Sequence, residues 1–333
     1  MTGRPTALSG APDAERPVAL DVAAVPAAAV ADDAAAFHRV LAVVAIVLAA
    51  GSLAALRAVD VRLQAGQLVP AAGVLALLLG GAAFYRRRRP DPRAVQLFLF
   101  AFWGILFSNL HTLPMFVAAR IDAPMRDALL ARMDAALGLE VPAVRAAMQA
   151  VPVLDRLLAR AYGTLMVLVA AATVVPPLAG RLRPAKEYAV ACIVAGAVGI
   201  PLFAGMQAVG PWTHYGYAPL FDQRRYMAVY AALKEPGPFV LDLGYGDGLI
   251  CFPSFHTILA VLAATALWPF AWLRWPAAGL AAAIVVSTVT TGTHYVVDVV
   301  SGLVVAAVAI ATARAFTRRA DASRDPVARR EGA

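Results

Sequence analysis

Long apolar runs, separated by short charged segments, occupy most of the chain. A helix needs about 20 apolar residues to cross the hydrocarbon core of a membrane. Windows near that length lie at about 38–56, 67–85, 94–118, 161–179, 187–207, 254–273, 276–293 and 296–315. The pattern predicts an all-α fold, a polytopic transmembrane helix bundle with about eight spans.

Two longer segments between these runs follow a different pattern. In residues 121–160, apolar and charged side chains alternate at helical spacing, which predicts two short amphipathic helices on the membrane surface, broken near Gly138 and Pro142. Residues 208–253 are rich in Gly, Pro and aromatic residues. This turn-forming composition predicts a loop that closes over a site.

These patterns divide the chain into four parts. Residues 1–36, rich in Ala, Pro and Asp, are predicted to form a disordered cytoplasmic tail, and residues 316–333 a basic cytoplasmic tail. Residues 37–93 contain two accessory helices. Residues 94–315 contain a bundle of six helices, including the amphipathic surface segment 119–160 and the loop 208–253.

Composition supports a membrane protein. The 333 residues are 61% hydrophobic and 15% charged, with a mean hydropathy of +0.71, so one soluble core cannot enclose their apolar surface. The net charge is +8, but the basic residues fall between apolar runs instead of lining one face, which argues against a nucleic-acid partner. Two cysteines do not indicate a disulfide framework.

The basic residues also predict the orientation in the membrane. They cluster in four segments: 86–93, 181–186, around Arg274, and 314–330. Cytoplasmic loops carry an excess of Lys and Arg. The pattern therefore predicts a multi-pass protein of the cell membrane, with both termini in the cytoplasm. The segments 119–160 and 208–253 then lie on the extracytoplasmic face, together with the active site.

Two polar motifs lie at the edges of apolar runs, where ionisable groups are costly and more often functional than structural. The first is Phe-Pro-Ser-Phe-His-Thr at 252–257, and the second is Gly-Thr-His-Tyr-Val-Val-Asp-Val at 292–299. A helix starting near Pro253 would present Ser254 and free backbone N–H groups to an anion such as phosphate. His256 in the same turn can give a proton to a leaving oxygen.

His294 and Asp298 are four residues apart and share one face if that stretch is helical. The carboxylate can then hold the proton on one imidazole nitrogen and leave the other free as a nucleophile. Together the two motifs predict a phosphoryl-transfer site without a metal or cofactor.

Three other interpretations remain open. His256 can be an interfacial side chain, and His294 with Asp298 can be a buried structural pair. A metal site made from His256, His294 and Asp298 is the third, although the sequence has no H-E-x-x-H motif or Cys/His cluster.

With these motifs, residues 94–315 resemble the type 2 phosphatidic acid phosphatase (PAP2) superfamily, in particular its inositolphosphotransferase branch, similar to inositol phosphorylceramide synthase. The resemblance implies a six-helix core. It also implies that His294 forms a phosphohistidine, Asp298 orients it, His256 is the general acid and Ser254 contacts phosphate.

The chain departs from the phosphatase pattern at the substrate-binding positions. Phe255 stands where phosphatases have Gly, Thr288 stands where they have a phosphate-clamping Arg, and no counterpart of the upstream Lys and Arg-Pro precedes Pro253. Phosphoryl transfer relies on positive groups aimed at the phosphate oxygens. The candidate replacements are Arg224, Arg225 and Lys234, with solvated or headgroup-binding side chains as the alternative.

The leading hypothesis is a membrane enzyme that cleaves a lipid phosphoester and passes the phosphoryl-containing group to an acceptor. Its partners are the lipid substrate and the bilayer. Water as acceptor makes it a phosphatase, and a lipid hydroxyl makes it a headgroup transferase, which Phe255 and the missing Arg favour. A lipid transporter and a catalytically inactive lipid-binding scaffold are the alternatives.

Overall fold

The computed structural model describes residues 27–217, 224–241 and 249–322. Within them the chain forms thirteen helices and two short strands: α1 (Ala27–Ala58), β1 (Val61–Leu63), α2 (Ala65–Arg87), α3 (Pro92–Arg120), α4 (Asp127–Ala136), α5 (Val141–Gln149), α6 (Pro152–Gly163), α7 (Leu165–Leu178), α8 (Leu182–Gly205), α9 (Pro211–Tyr215), α10 (Arg224–Lys234), β2 (Phe239–Leu241), α11 (Phe255–Leu267), α12 (Arg274–Thr290) and α13 (Val296–Ala322). The all-α helix bundle predicted from the sequence is confirmed.

Each of the eight apolar windows overlaps a helix, but not every helix is long enough to span a membrane. Five described helices are long and apolar enough, α1, α2, α3, α8 and α13, and the pair α6–α7, bent by 42°, makes a sixth if it counts as one span. α11 has 13 residues and α12 has 17. At 1.5 Å per residue, α11 is about 20 Å long, which is less than the ~30 Å of hydrocarbon.

The first and last helices extend beyond the predicted tail boundaries. α1 begins at Ala27, so the boundary predicted at residue 36 is too late, because alanine is the strongest helix former. α13 continues to Ala322, past the predicted end of the bundle at 315. Arg319 in its last turn favours this extension, since basic side chains stabilise helix C-termini. The predicted tails outside 27–322 lie outside the described residues.

The amphipathic segment forms three helices instead of the two predicted. α4 ends before Gly138, whose φ of +71° suits glycine. Pro142 does not break a helix but lies in the first turn of α5, where a missing N–H costs nothing. The third helix, α6, leads into α7 and so joins the surface segment to the bundle.

The described parts of the long segment after α8 contact the rest of the bundle. β2 pairs in parallel with β1, and Phe239 lies opposite Val61. The guanidinium of Arg120, at the end of α3, donates to the carbonyl oxygens of Leu233 and Glu235, each at 2.7 Å, and to that of Gly237. Residues 218–223 and 242–248 of the predicted active-site loop lie outside the described residues.

The four basic segments meet at one end of the bundle. The Arg181 guanidinium donates to the carbonyl of Pro269 at 2.8 Å, and the Thr317 hydroxyl donates to Glu187 at 3.2 Å. The same end includes the α11–α12 turn at residues 268–273, where Trp268 and Trp272 are exposed. Both polar motifs of the sequence analysis lie at the other end, because each begins a helix that runs toward the basic end.

Candidate functional site

His256 and His294 come together at the end of the bundle away from the basic segments. His256 lies in the first turn of α11 and His294 two residues before α13, and their ring centroids are 6.2 Å apart. Tyr162 of α6 stacks on His256 with centroids 4.1 Å apart, and its hydroxyl lies 3.5 Å from Nδ1 of that ring. The two imidazoles therefore face one small region between α6, α11 and α13.

His294 is held by Asp298. Its Nδ1 lies 3.4 Å from Oδ2 of Asp298, which also accepts the backbone N–H of Tyr295 at 2.9 Å. A carboxylate cannot donate, so this contact places the ring proton on Nδ1 and leaves Nε2 with a lone pair. Asp298 is fully buried, and its backbone carbonyl accepts the N–H of Ser254 at 3.0 Å, which ties the two motifs together.

Cys251 is a third neighbour of the same carboxylate. Its Sγ lies 3.2 Å from Oδ2 of Asp298 and 4.0 Å from Nδ1 of His294. Burial, and then the charge of Asp298, raise the pKa of the Cys251 thiol, so it stays protonated and donates to the carboxylate. The other oxygen of Asp298, Oδ1, is buried and has no hydrogen-bond partner among the described residues.

Asp134 of α4 fixes the start of α13 from outside that helix. Its two carboxylate oxygens accept the backbone N–H groups of Val296 at 2.8 Å and Val297 at 2.9 Å, which are free because they begin the helix. Burial raises the pKa of Asp134, and the two N–H groups partly offset this. Asp127 extends the attachment by accepting the hydroxyl of Tyr295 at 3.1 Å.

A tight loop joins α12 to His294. The backbone carbonyl of Thr288 accepts the N–H of His294 at 3.1 Å and the hydroxyl of Thr293 at 2.9 Å. Gly292 has φ +76°, and a Cβ there would lie 2.6 Å from Oη of Tyr217. Thr288 is itself fully buried, and its hydroxyl donates to the carbonyl of Val285, so it supports the loop, while its contact with substrate stays a prediction.

Two residues of the first motif make structural contacts in this geometry. Ser254 is the N-cap of α11: its fully buried hydroxyl accepts the N–H of Thr257 at 3.4 Å and the Thr257 hydroxyl at 3.1 Å. The phosphate contact of Ser254 stays a prediction, and Pro253 precedes the cap instead of entering the first turn. The ring of Phe255 packs on Gly199 of α8, where an added Cβ would lie 2.6 Å away.

Of the three predicted cations, Lys234 is the one whose side chain the structure describes. The Lys234 ammonium donates to the carbonyl of Ile121 at 2.6 Å and to Oε1 of Gln207 at 2.5 Å, and so ties α10 to the end of α3. Desolvation lowers the pKa of Lys234. The side chains of Arg224 and Arg225 lie outside the described residues.

Arg145 of α5 is a cation next to the loop that leads to His294. Its Nη1 donates to the carbonyl of Thr290 at 2.6 Å and to Asp155 at 2.8 Å, and the residue is 8% exposed. The other wall of the site comes from the same surface segment, since α6 carries Tyr162 as well as Asp155.

The sequence motifs alone did not identify Arg145, Asp134, Cys251 or Tyr162 as parts of the site. Arg145 and Asp134 were among the charged positions of the amphipathic segment, and only tertiary contacts distinguish them from solvated residues. One usable signal was the spacing of Asp127 and Asp134, seven residues apart and hence on one helix face. For Cys251, the signal was its position directly before the first motif in the sequence.

One group of side chains has the donor atoms of a metal site. Sγ of Cys251, an imidazole nitrogen of His294 and a carboxylate oxygen of Asp298 all lie within 4.8 Å of one another. This group contains Cys251 in place of the His256 considered from the sequence.

A family model described as the PAP2 superfamily matches residues 128–312, more than half of the chain. The match begins in α4 and ends in α13, so it includes both histidine motifs and the three helices of the surface segment. No curated protein and no solved structure shows significant similarity to the chain.

Proposed function

The chain belongs to the PAP2 superfamily, whose members are generally phosphatases or phosphotransferases, and from this premise we propose that it cleaves a lipid phosphoester through a histidine-bound intermediate. The observation that carries the proposal is the meeting of His256 with the His294–Asp298 pair at one end of the bundle. A buried structural pair of His294 and Asp298 would not require His256 nearby, and an interfacial His256 would not require His294 nearby.

In the first step, Nε2 of His294 attacks phosphorus and the bond from phosphorus to the leaving oxygen breaks. His256 gives its proton to that oxygen, and Asp298 stabilises the positive charge on the His294 ring. The ring centroids of His256 and His294 are 6.2 Å apart, which puts both imidazoles near enough to act on one phosphate group.

In the second step, an acceptor hydroxyl loses its proton to His256 and attacks phosphorus, and the bond from phosphorus to Nε2 of His294 breaks. Water as acceptor gives a free phosphate, and a lipid hydroxyl gives a new phospholipid. We favour transfer to a lipid hydroxyl, as in the inositolphosphotransferase branch, because Thr288 replaces the phosphate-clamping Arg and Phe255 replaces the small Gly.

Arg145 is our candidate for the missing positive charge. It is held against the loop that ends in His294 by the carbonyl of Thr290, and it also pairs with Asp155. Positive groups fixed near the reacting phosphate stabilise the charge that develops on its oxygens. Arg145 takes this role in our proposal, in place of Lys234.

We further propose that the site faces the extracytoplasmic side of the cell membrane. The basic segments share the opposite end of the bundle, and basic loops stay in the cytoplasm. The lipid substrate then enters from the outer leaflet.

The test is product analysis with the purified chain in vesicles that contain phosphatidic acid or phosphatidylinositol, with and without ceramide as a lipid hydroxyl. A new phospholipid indicates transfer, and free inorganic phosphate or phosphorylated headgroup indicates water as acceptor. His294→Gln should lower either turnover by at least about 10³-fold, because it removes the nucleophile. His214→Gln, on the exposed helix α9, is the matched control and should leave turnover unchanged.

Turnover that persists in folded His294→Gln would exclude the histidine intermediate. Movement of lipid between leaflets without any covalent product would instead favour a transporter, and binding with neither activity would favour an inactive scaffold.

A further inference from the structure

Cys251, His294 and Asp298 form a closely spaced set of soft and hard metal-binding atoms. The distances are 3.4 Å from Nδ1 of His294 to Oδ2 of Asp298, 3.2 Å from Sγ of Cys251 to that oxygen, and 4.0 Å from Sγ to Nδ1. A tetrahedral zinc ion with bonds of about 2.0–2.3 Å holds neighbouring ligand atoms about 3.3–3.6 Å apart. Shifts of a few tenths of an ångström would therefore complete three sides of a zinc site.

Two further observations indicate a cation at this place. Oδ1 of Asp298 is fully buried and has no hydrogen-bond partner in the part of the chain that the structure describes, so the carboxylate has unused acceptor capacity there. A thiolate and a carboxylate also carry two negative charges, which would neutralise a divalent ion in a region where each of the three residues is at most 5% exposed. Buried charge is tolerated when it is compensated in this way.

We propose that Cys251, His294 and Asp298 bind Zn²⁺ and that this binding reversibly inhibits the enzyme. Three protein ligands and a water molecule complete a four-coordinate zinc ion. Zinc binding is inferred from the geometry of the three side chains alone, whereas the inhibition depends on the proposed function.

Zinc binding changes the protonation of the site in a defined way. The Cys251 thiol loses its proton to solvent as the sulfur–zinc bond forms. Zinc at Nδ1 of His294 displaces the ring proton to Nε2, so the nitrogen that would attack phosphorus no longer has a lone pair. Asp298 exchanges its contact with the imidazole for a bond to zinc. Inhibition therefore follows from the loss of both the nucleophile and its orienting carboxylate.

The experiment uses the full-length protein purified in detergent, with Co²⁺ as a spectroscopic substitute for Zn²⁺. Wild type should bind one Co²⁺ per chain with a thiolate-to-cobalt charge-transfer band, and Zn²⁺ should displace it. The chain has two cysteines, and Cys192 lies within α8. Cys192→Ser, the matched control, leaves Cys251 as its one thiol and should keep the band. Cys251→Ser should lose it.

The same variants test the inhibition. Zn²⁺ should stop turnover of wild type and Cys192→Ser, and a chelator should restore it, whereas Mg²⁺, which prefers six oxygen ligands, should have no effect. In Cys251→Ser the half-inhibitory Zn²⁺ concentration should rise at least tenfold, because loss of a direct ligand weakens binding by about 10- to 100-fold or more.

The outcomes separate this proposal from the proposed function. If Cys192→Ser shows no charge-transfer band, the zinc site is wrong. The zinc site is also wrong if Zn²⁺ inhibits wild type and Cys251→Ser equally. A band in protein that turns over no lipid leaves the zinc site standing and overturns the proposed function and its inhibition. If Cys251→Ser does not fold, the band of Cys192→Ser still decides, since Cys251 is then the remaining thiol.

Discussion

In the proposed reaction, Arg145 serves both the structure and the chemistry of the site. Its guanidinium donates to the carbonyl of Thr290 and to the carboxylate of Asp155, so it supports the loop that leads to His294, and the proposal also gives it the positive charge for the phosphate. Replacement by Lys keeps the charge but puts it on a compact ammonium at the end of a flexible chain, without the fixed geometry of the guanidinium. The two contributions can therefore be separated by substitution.

We expect Arg145→Ala to lower kcat/KM by about 10²- to 10³-fold, the usual effect of removing a group that stabilises transition-state charge. Arg145→Lys should recover part of this loss. The measurement is steady-state turnover in lipid vesicles, alongside thermal unfolding of each variant. Arg132→Ala, at an exposed position in α4, is the control and should leave both unchanged. A purely structural Arg145 would lower the unfolding temperature of both variants and leave the kinetics of the folded protein intact.

The residues of the two histidine motifs could be predicted because their signals are local. A histidine three positions after a proline and a His-x-x-x-Asp spacing stand out at the edges of apolar runs, and the structure brings both histidines together. Partners from distant parts of the chain could not be predicted in this way. Asp134 reaches Val296 across 162 positions, and no periodicity encodes that pairing.

At the scale of elements, the packing of α11 against α8 requires the space beside a glycine of α8. The ring of Phe255 fills the space beside Gly199, next to the turn of α11 that carries His256. A bulky residue can therefore stand at the position after Ser254 because α8 has no side chain opposite it. The sequence showed the large residue, but it gave no sign of the glycine that accommodates it 56 positions earlier.

We expect Gly199→Ala to lower the stability by about 1–3 kcal/mol and to reduce turnover, because the added Cβ would lie 2.6 Å from the Phe255 ring and overpack the contact. Thermal unfolding and turnover of the purified variant check this. Gly205→Ala is the control in the same helix, since an added Cβ there meets nothing within 4 Å. The double variant Gly199→Ala/Phe255→Leu should regain stability. A Gly199→Ala protein as stable as wild type would contradict the packing described for α11.

At the scale of the whole molecule, the bundle has two chemically different ends. One end contains the arginine-rich segments and the exposed tryptophans of the α11–α12 turn. The other contains α4, α5 and α9 together with both histidines. The number of membrane spans was harder to predict from the sequence than the difference between the two ends. Hydropathy windows detect apolar runs, whereas the lengths of α11 and α12 depend on where the chain turns.

The orientation can be tested by labelling single cysteines in a background with both native cysteines replaced by serine. Arg88→Cys, at the basic end, should react with a membrane-impermeant maleimide only after the cells are permeabilised, because basic segments stay in the cytoplasm. Glu140→Cys, between α4 and α5, should react in intact cells. Both positions are exposed in the structure, so access by the reagent is limited by the membrane alone. The reverse labelling would place the histidines in the cytoplasm and contradict the proposed topology.

The shortness of α11 sets the depth at which the reaction takes place. If its last turn, beside exposed Trp268, lies at the cytoplasmic interface where tryptophan prefers to lie, a helix about 20 Å long ends roughly 10 Å beneath the outer surface of a ~30 Å hydrocarbon layer. His256 would then lie well inside the bilayer. The lipid substrate could stay in the membrane during the reaction, and the acceptor would have to reach the same depth. A second lipid reaches that depth more easily than water does.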